Sequence, residues 1–231
     1  YETHKPLEYY SFFDRIFFKN LINKKKFISV VTISNYLIKK YNLYKDFKKI
    51  KKVLLIDASN LYDEVKPISI SERKSVGYIG NLYKGRGIMI IINLSRIMKN
   101  YDFYIVGGSD SEIKNFKKKY SHKNLKFVGH KNNKDCIQLM KSFDILIAPY
   151  QKETFVPEGI NTVKWMSPLK LFEYMSSKKP IITSNLKSIK EFMKDRENCI
   201  LVEPDNLKAW QEAIILLSEN KELRYKLTNN A

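Results

Sequence analysis

Cysteine and histidine are scarce in this chain, which leaves few residues for disulfides or for a metal site. The chain has 231 residues, of which only two are cysteine and three are histidine. Cys136 and Cys199 lie far apart and fit no metal or redox spacing, so we interpret both as buried, reduced thiols, typical of the cytosol. The histidines and cysteines do not assemble into a metal site. We therefore expect neither a metal nor another cofactor.

Long apolar runs are also missing. No run reaches the roughly 18 residues that a membrane span needs. The first ten residues lack a basic head followed by an apolar stretch, so no signal peptide is predicted. Apolar residues nevertheless make up 44% of the chain, which is enough to bury a core and excludes a disordered tail. We expect a folded cytoplasmic protein.

Arginine supplies only six of the 42 basic residues, although the formal net charge is +18. Readers of nucleic acid use arginine for bidentate contacts, so scattered lysines argue against nucleic acid as a partner. A non-catalytic nucleic-acid-binding module remains an alternative from another class. A positive surface favours anionic partners, and the candidates are nucleotide-sugars and the anionic inner face of a membrane, contacted peripherally.

From residue 76 onwards, short apolar runs alternate with helical patterns. Continuous apolar strands are typical of a parallel sheet covered on both faces, and strict β-α alternation implies right-handed crossovers. The pattern predicts an α/β fold with a doubly wound parallel sheet. The predicted strands are 76–80, 102–107, 124–129, 144–150, 180–184 and 199–204, and the predicted helices are 87–99, 110–120, 133–142, 168–177, 187–194, 207–218 and 220–228.

The first 70 residues hold fewer such units. Residues 26–41 predict a strand that enters a helix with Ser34 as N-cap, and 51–60 predict a second strand before a polar linker. The first of these strands has no evident partner. We interpret 1–70 as the end of a second Rossmann-like domain with its linker, and 71–231 as a complete domain.

An aromatic stretch near the N-terminus also has helical spacing. Phe12, Phe13, Ile16 and Phe17 recur on one side of a predicted helix. A packed amphipathic helix is the preferred interpretation, and interfacial contact with a membrane is the alternative.

The segment SPLKLFEYMSSKKPIIT, residues 167–183, carries a cation in the first turn of a predicted helix. Ser167 is the expected N-cap, Pro168 suits the first helical position, and Lys170 follows. The helix dipole disfavours a cation there by about 0.3–1 kcal/mol. Either Lys170 pairs with Glu173 on the surface, or the free N–H groups and Lys170 hold a phosphate while Glu173 accepts hydrogen bonds from a ribose.

A second anion-seeking element follows the strand 76–80. The loop GNLYKGRG begins with Gly80 and Asn81 and supplies Lys84 and Arg86. Glycines let a backbone approach a phosphate closely. The loop is neither a Walker loop nor a complete GxGxxG motif. Other glycines also follow predicted strands, at the edge where open α/β sheets bind ligands.

These segments resemble, in order, GT-B glycosyltransferases of the large retaining group called family 4, also named glycosyl transferases group 1. The matching pieces are ETH, VVTISNYL, VGYIGNLYKGRG, FYIVGG, LKFVGH, DILIAPYQ, SPLKLFEYMSSKKPIIT, SIKEFM and NCILVEPDN. The resemblance implies a Rossmann-like donor-binding domain at 71–231, the tail of an acceptor-side domain at 1–70, and a partial chain. It also implies transfer of a sugar from a nucleoside diphosphate donor to a saccharide or lipid-linked acceptor, with retention, in cell-surface polysaccharide assembly. A nucleotide-sugar epimerase of the same fold is the alternative within enzymes.

The resemblance also implies roles for individual residues. Lys84 and Arg86 would neutralise the donor diphosphate, and Glu173 would bind its ribose. Ser167 and Leu169 would donate backbone N–H groups to the phosphates. The nucleobase would contact Gly129, His130 and Lys131, and His4 would lie near the sugar and the acceptor. The motif's first glutamate is absent, because Trp165 stands there. Its absence leaves recognition of the sugar open, and Glu153 and Glu158 are the candidates to replace it.

Overall fold

The computed structural model describes residues 1–231 and contains two parallel β-sheets. The first sheet has three strands in the order β1-β2-β3. Its elements are strand β1 (Glu2–Thr3), helix α1 (Phe12–Ile22), strand β2 (Ser29–Thr32), helix α2 (Asn35–Leu43) and strand β3 (Lys51–Leu54). The expectation that the first strand of 26–41 lacks a partner is wrong, because β2 pairs with β1 on one side and β3 on the other.

The second sheet has six parallel strands in the order β6-β5-β4-β7-β8-β9. Its strands are β4 (Lys74–Ile79), β5 (Tyr101–Val106), β6 (Leu125–Gly129), β7 (Ile145–Ala148), β8 (Ile181–Ser184) and β9 (Ile200–Val202). The helices around it are α3 (Ile88–Ile97), α4 (Asp110–Lys119), α5 (Asn133–Ser142), α6 (Leu169–Ser176), α7 (Leu207–Glu219) and α8 (Lys221–Asn229). The doubly wound sheet is therefore confirmed, and the predicted strands and these helices agree with the observed ends to within two residues.

The strand order fixes where the chain changes direction across the sheet. Successive strands run outward from β4 through β5 to β6, and the chain then returns to place β7 against the other side of β4. This return makes the β4–β7 junction a topological switch point, where a crevice opens outside the carboxyl ends of the strands. Most of the predicted site residues lie at that crevice.

Both faces of the six-stranded sheet are buried, as the continuous apolar runs require. Along β4, Tyr78 packs into the larger core cluster with helices α3 and α7, whereas its neighbour Ile79 packs on the opposite face with α5 and α6. Adjacent side chains point to opposite faces of a strand. Each face therefore needs its own helical layer, and the two clusters supply it.

Polar side chains fix where several helices begin. The Ser34 hydroxyl accepts the N–H of Leu37, so its predicted role as N-cap of α2 is confirmed. Ser109 and Glu112 form a reciprocal capping box at the start of α4. Such caps satisfy backbone donors that a helix leaves free and stabilise it by about 1 kcal/mol each.

Two predicted elements are shorter than expected. The strand at 51–60 ends at Leu54, because β2 ends at Thr32 and the Thr32 carbonyl accepts the last bond, from the Leu55 N–H. The helix predicted at 187–194 is wrong, since only a short 3-10 turn forms at Ile189–Glu191. The side chain of Asn198 accepts the Lys194 N–H and closes this segment into a loop instead.

Helix α1 forms as its spacing predicts but packs through the other face. Phe18 and Ile22 enter the small core under the first sheet. The prediction that the aromatic face packs against the protein is wrong, because its four side chains are 44–80% exposed: Phe12, Phe13, Ile16 and Phe17. No helix of the chain has the length and apolar character needed to cross a membrane.

Candidate active site

A cavity of about 610 Å³ lies at the switch point and opens between the two sheets. Its walls come from the chain just after β4, from the segment after β7, from α5 and from the first turns of α6, with β1 and β2 contributing from the first sheet. The predicted site residues that line it are His4, Gly80, Asn81, Arg86, Lys131, Ser167, Leu169, Lys170 and Glu173. Chain segments distant in sequence thus converge on one pocket.

Three predicted site residues do not line this cavity. The Lys84 ammonium lies 4.8 Å from the centre of the Phe155 ring, on the outer side of the loop. Gly129 ends β6, and His130 is exposed beyond it, so neither lines the pocket while Lys131 does. Of the predicted basic pair, only Arg86 lines the cavity. Glu153 and Glu158 are exposed and also lie outside the lining.

Helix α6 begins one residue later than predicted. Pro168 occupies the N-cap position, so the prediction that Ser167 caps the helix is wrong. The Ser167 hydroxyl is buried without a hydrogen-bond partner. The backbone N–H groups of Leu169 and Lys170 also lack protein acceptors. Free donors at the positive end of a helix dipole are the elements of an anion site.

Tyr174 fixes α6 against the end of β4. Its hydroxyl accepts the N–H of Ile79 at 2.8 Å and donates to the carbonyl of the same residue at 3.3 Å. The ring is fully buried between helix and sheet. One tyrosine therefore sets the distance between the residues that follow β4 and the first turn of α6.

Lys170 points inward rather than pairing on the surface. Its ammonium lies 3.7 Å from the centre of the Tyr78 ring and 5.5 Å from that of Tyr150. No carboxylate oxygen lies within 4.0 Å of it, and it makes no hydrogen bond to the protein. Burial, and then the charge of Arg86, hold the pKa of Lys170 well below its usual range, while Glu173 partly offsets them. A cation without an acceptor in a pocket calls for an anion.

Gly80 makes the room that Lys170 occupies. Its φ is +147°, and a Cβ there would stand 2.5 Å from the Lys170 Nζ. Any larger residue would displace the Lys170 ammonium from the carboxyl end of β4. Gly80 is therefore needed to leave room for the Lys170 side chain as well as to form the turn.

Arg86 is the second unpaired cation of the pocket. Its guanidinium lies 5.2 Å from the centre of the Tyr150 ring, and no carboxylate lies within 4.0 Å. Tyr150 is buried, which raises its pKa to about 12 although Arg86 works in the other direction. Two cations thus share one aromatic wall and face the same space.

Glu173 is the only carboxylate in the lining. Burial raises its pKa above the usual carboxylate range, and the charge of Lys170 partly counteracts this. The carboxylate makes no hydrogen bond within the protein. Its oxygens are therefore available as acceptors for hydroxyl groups of a ligand.

The two ends of the cavity differ. Asn133, Cys136 and Met140 line the cavity from α5, whereas Trp165 lines it where it packs against Ile33 of the first sheet's unit, which also contributes His4. His4 is exposed, with its Nε2 3.0 Å from the Glu2 carboxylate. No group of three or more His, Cys, Asp or Glu side chains is placed to hold a metal ion.

Several lining residues were not predicted from the sequence. Tyr150 follows β7 and lies beside both cations. Tyr78 does not line the cavity, but its ring contacts the Lys170 ammonium. The apolar runs around them gave the signal for strands, and nothing in the runs distinguished a tyrosine in the core from one beside a ligand site. Spacing alone cannot show which side chains meet an inward lysine.

Comparison with known proteins identifies the family of the chain. The family model described as glycosyl transferases group 1 matches residues 73–220, and the chain belongs to that family. The resemblance found in the sequence is thereby confirmed. The matched range includes the loop after β4, helix α6 and the whole six-stranded sheet.

Curated relatives and solved structures are similar to this chain at low identity. An uncharacterized glycosyltransferase of Methanocaldococcus jannaschii is 24% identical over 231 residues, covering 95% of this chain and 56% of that protein. A glycosyltransferase of Rickettsia africae has a TM-score of 0.67 at 18% identity, covering 92% and 60% of the two chains. Anabaena Alr3699/HepE, solved with UDP, has a TM-score of 0.69 at 17% identity, covering 100% and 65%.

These likenesses confirm a fold shared with GT-B glycosyltransferases. The chain spans about half the length of the curated relatives it matches.

Proposed function

We propose that the pocket binds a nucleoside diphosphate-sugar and that the protein transfers its sugar to a saccharide or lipid-linked acceptor. The observation that carries this proposal is the pair of unpartnered cations, Arg86 and Lys170, beside free N–H groups at the start of α6. A diphosphate is the ligand that satisfies all of them together. We assign residues 71–231 to donor binding and 1–70 to the acceptor side and linker.

The donor's nucleoside extends towards α5 in this proposal. Glu173, one turn into α6, accepts hydrogen bonds from the ribose hydroxyls, and the base lies near Lys131 and Cys136. The sugar then lies at the opposite end, near His4. A solved structure of similar fold, Anabaena Alr3699/HepE, was obtained with UDP and glucose, which supports a ligand of this class.

The reaction breaks the bond between the anomeric carbon and the diphosphate oxygen. Negative charge grows on the departing diphosphate, and Arg86, Lys170 and the α6 N–H groups stabilise it more in the transition state than in the ground state. The acceptor oxygen bonds to the anomeric carbon on the face that the diphosphate leaves, so configuration is retained, and its proton passes to the diphosphate. Polysaccharide assembly at the cytoplasmic face of a membrane is the setting we propose.

Calorimetric titration with UDP, GDP and ADP tests the donor site. We expect one of them to bind, and Arg86→Ala, Lys170→Ala and Glu173→Ala each to weaken it. Loss of a hydrogen bond to a charged group costs about 1.5–3 kcal/mol, which is a factor of roughly 10 to 150 in affinity.

Lys84→Ala is the matched control, because Lys84 is a lysine of the same loop that lies outside the cavity. Its affinity should stay within about twofold of the original protein. A folded protein that binds none of the three diphosphates contradicts the proposal, and so does an equal loss in the control.

A further inference from the structure

The end of the pocket nearest the first sheet contains no carboxylate and few polar side chains. If the diphosphate lies between Arg86 and Lys170, Glu173 directs the nucleoside towards α5, and the transferred sugar must occupy the other end. Among the lining residues, Ile33 and Trp165 pack together on the side of the first sheet, and we place Val156, His4 and Thr162 with them, whereas Met166 packs with α5. The only carboxylate of the lining, Glu173, lies on the nucleoside side.

Trp165 forms the fixed wall of this end. It is only 3% exposed and packs with Ile33 and Leu37 from the first sheet's unit. The Tyr36 ring stacks on it at 5.9 Å between centroids with a 26° interplanar angle, and the Tyr9 ring lies at 5.2 Å. Two aromatic rings and the aliphatic side chains of Ile33 and Leu37 therefore cover most of the indole, and only the small exposed part can meet a ligand.

Few hydrogen-bond partners for sugar hydroxyls remain. The Trp165 indole N–H has no acceptor in the protein and is not fully buried, so it can only donate to a ligand. The Thr162 hydroxyl already donates to the Thr154 carbonyl at 3.2 Å, which leaves its lone pairs to accept. Together with the His4 ring, these make three polar side chains for a hexosyl group that carries four hydroxyls.

We propose that Trp165 makes this pocket select a nucleoside diphosphate 6-deoxyhexose, whose methyl group replaces the hydroxymethyl group of the matching hexose. This inference rests on the proposed donor site. The methyl group packs against the indole edge and its aliphatic neighbours. A hydroxyl on carbon 6 would lose its hydrogen bonds to water there without gaining a partner in the protein. A site of this kind discriminates by about ten- to a hundredfold.

Matched donors that differ only at that carbon test the inference. We would titrate GDP-D-mannose against GDP-D-rhamnose, and the dTDP, UDP and ADP donors of D-glucose each against the matching donor of 6-deoxy-D-glucose, each beside its free nucleoside diphosphate. At least a tenfold tighter binding of the 6-deoxy donor is expected in the pair whose base binds. Equal affinity within that pair, or tighter binding of the hexose, would overturn the inference and leave the donor site standing.

Failure of the donor site itself has a different signature, because then no nucleoside diphosphate binds, and both proposals fall. Variants of Trp165 separate selection from structural support. Trp165→Phe keeps an apolar edge and should keep the preference, whereas Trp165→Gln introduces an acceptor and should reduce it to less than threefold. Tyr225→Ala, on the exposed side of α8, is the control. A preference that survives in Trp165→Gln would also overturn the assignment.

Discussion

Replacing Lys170 with methionine should stabilise the free protein and weaken its ligand. Methionine keeps the length and apolar stem of the side chain and removes the charge that sits on Tyr78 without an acceptor. Desolvation of a buried ammonium costs several kcal/mol, and the cation–π contact returns up to about 2 kcal/mol. Because Lys170 as a whole residue is half-buried, only part of that desolvation cost applies, and we expect a net gain of about 1–2 kcal/mol in unfolding free energy.

Urea unfolding measures this gain, and its pH dependence identifies the cause. The pKa of Lys170 is lowered in the folded state, so between that value and its usual one the unfolded chain holds a proton that the folded chain has lost. The unfolded state then binds more protons, and stability rises with pH across this window. The original protein should show this rise towards alkaline pH, and Lys170→Met should lack it.

The same variant should bind its nucleoside diphosphate at least tenfold more weakly. At a pH above the lowered pKa of Lys170, the original protein should take up a proton on binding, because a bound diphosphate raises that pKa again. A variant that is less stable than the original, with unchanged nucleotide affinity, would refute this reasoning and make Lys170 a structural residue. Melting temperature offers a second readout, at about 2–4 °C per kcal/mol for a chain of this size.

Two further substitutions test how the pocket is built. Gly80→Ala should weaken nucleotide binding at least tenfold in titration, because its Cβ would stand 2.5 Å from the Lys170 Nζ. The control is Gly129→Ala, where φ is +81° but the space around the residue is open, so that this variant should lose stability and keep its affinity. Equal losses of affinity in the two variants would contradict the role of Gly80. Tyr174→Phe should lower the unfolding free energy by about 1–3 kcal/mol in urea, because the buried Ile79 N–H loses its acceptor; an unchanged midpoint would show that this bond does not hold α6.

The sequence was sufficient for the six-stranded sheet because both of its faces are buried. An apolar run as short as 145–148 favours a covered parallel strand over a helix. The failed helix at 187–194 shows the limit of this reasoning. Its local pattern is helical, but the Asn198 side chain, four residues beyond Lys194, binds its backbone, and periodicity carries no information about such bonds.

The candidate site was predictable at its backbone and less so at its side chains. The loop after β4 and the start of α6 were found from glycines and a proline, because these residues constrain the chain locally. The choice between Lys84 and Arg86 depended on which way the loop turns, and the loop directs Arg86 inward. The inward direction of Lys170 depends on Gly80 and on the rings of Tyr78 and Tyr150, which only the folded chain brings together.

A crystal structure of the chain with its nucleoside diphosphate tests the central claim most directly. The account predicts phosphate oxygens within hydrogen-bond distance of Arg86, Lys170 and the first N–H groups of α6, with the ribose at Glu173. A second basic groove between the two sheets, lined by Asn35, Lys39, Asn185, Lys187, Lys190 and Glu191, is where an anion could bind instead. Phosphates found in that groove, with Lys170 still unpaired, would contradict the donor site.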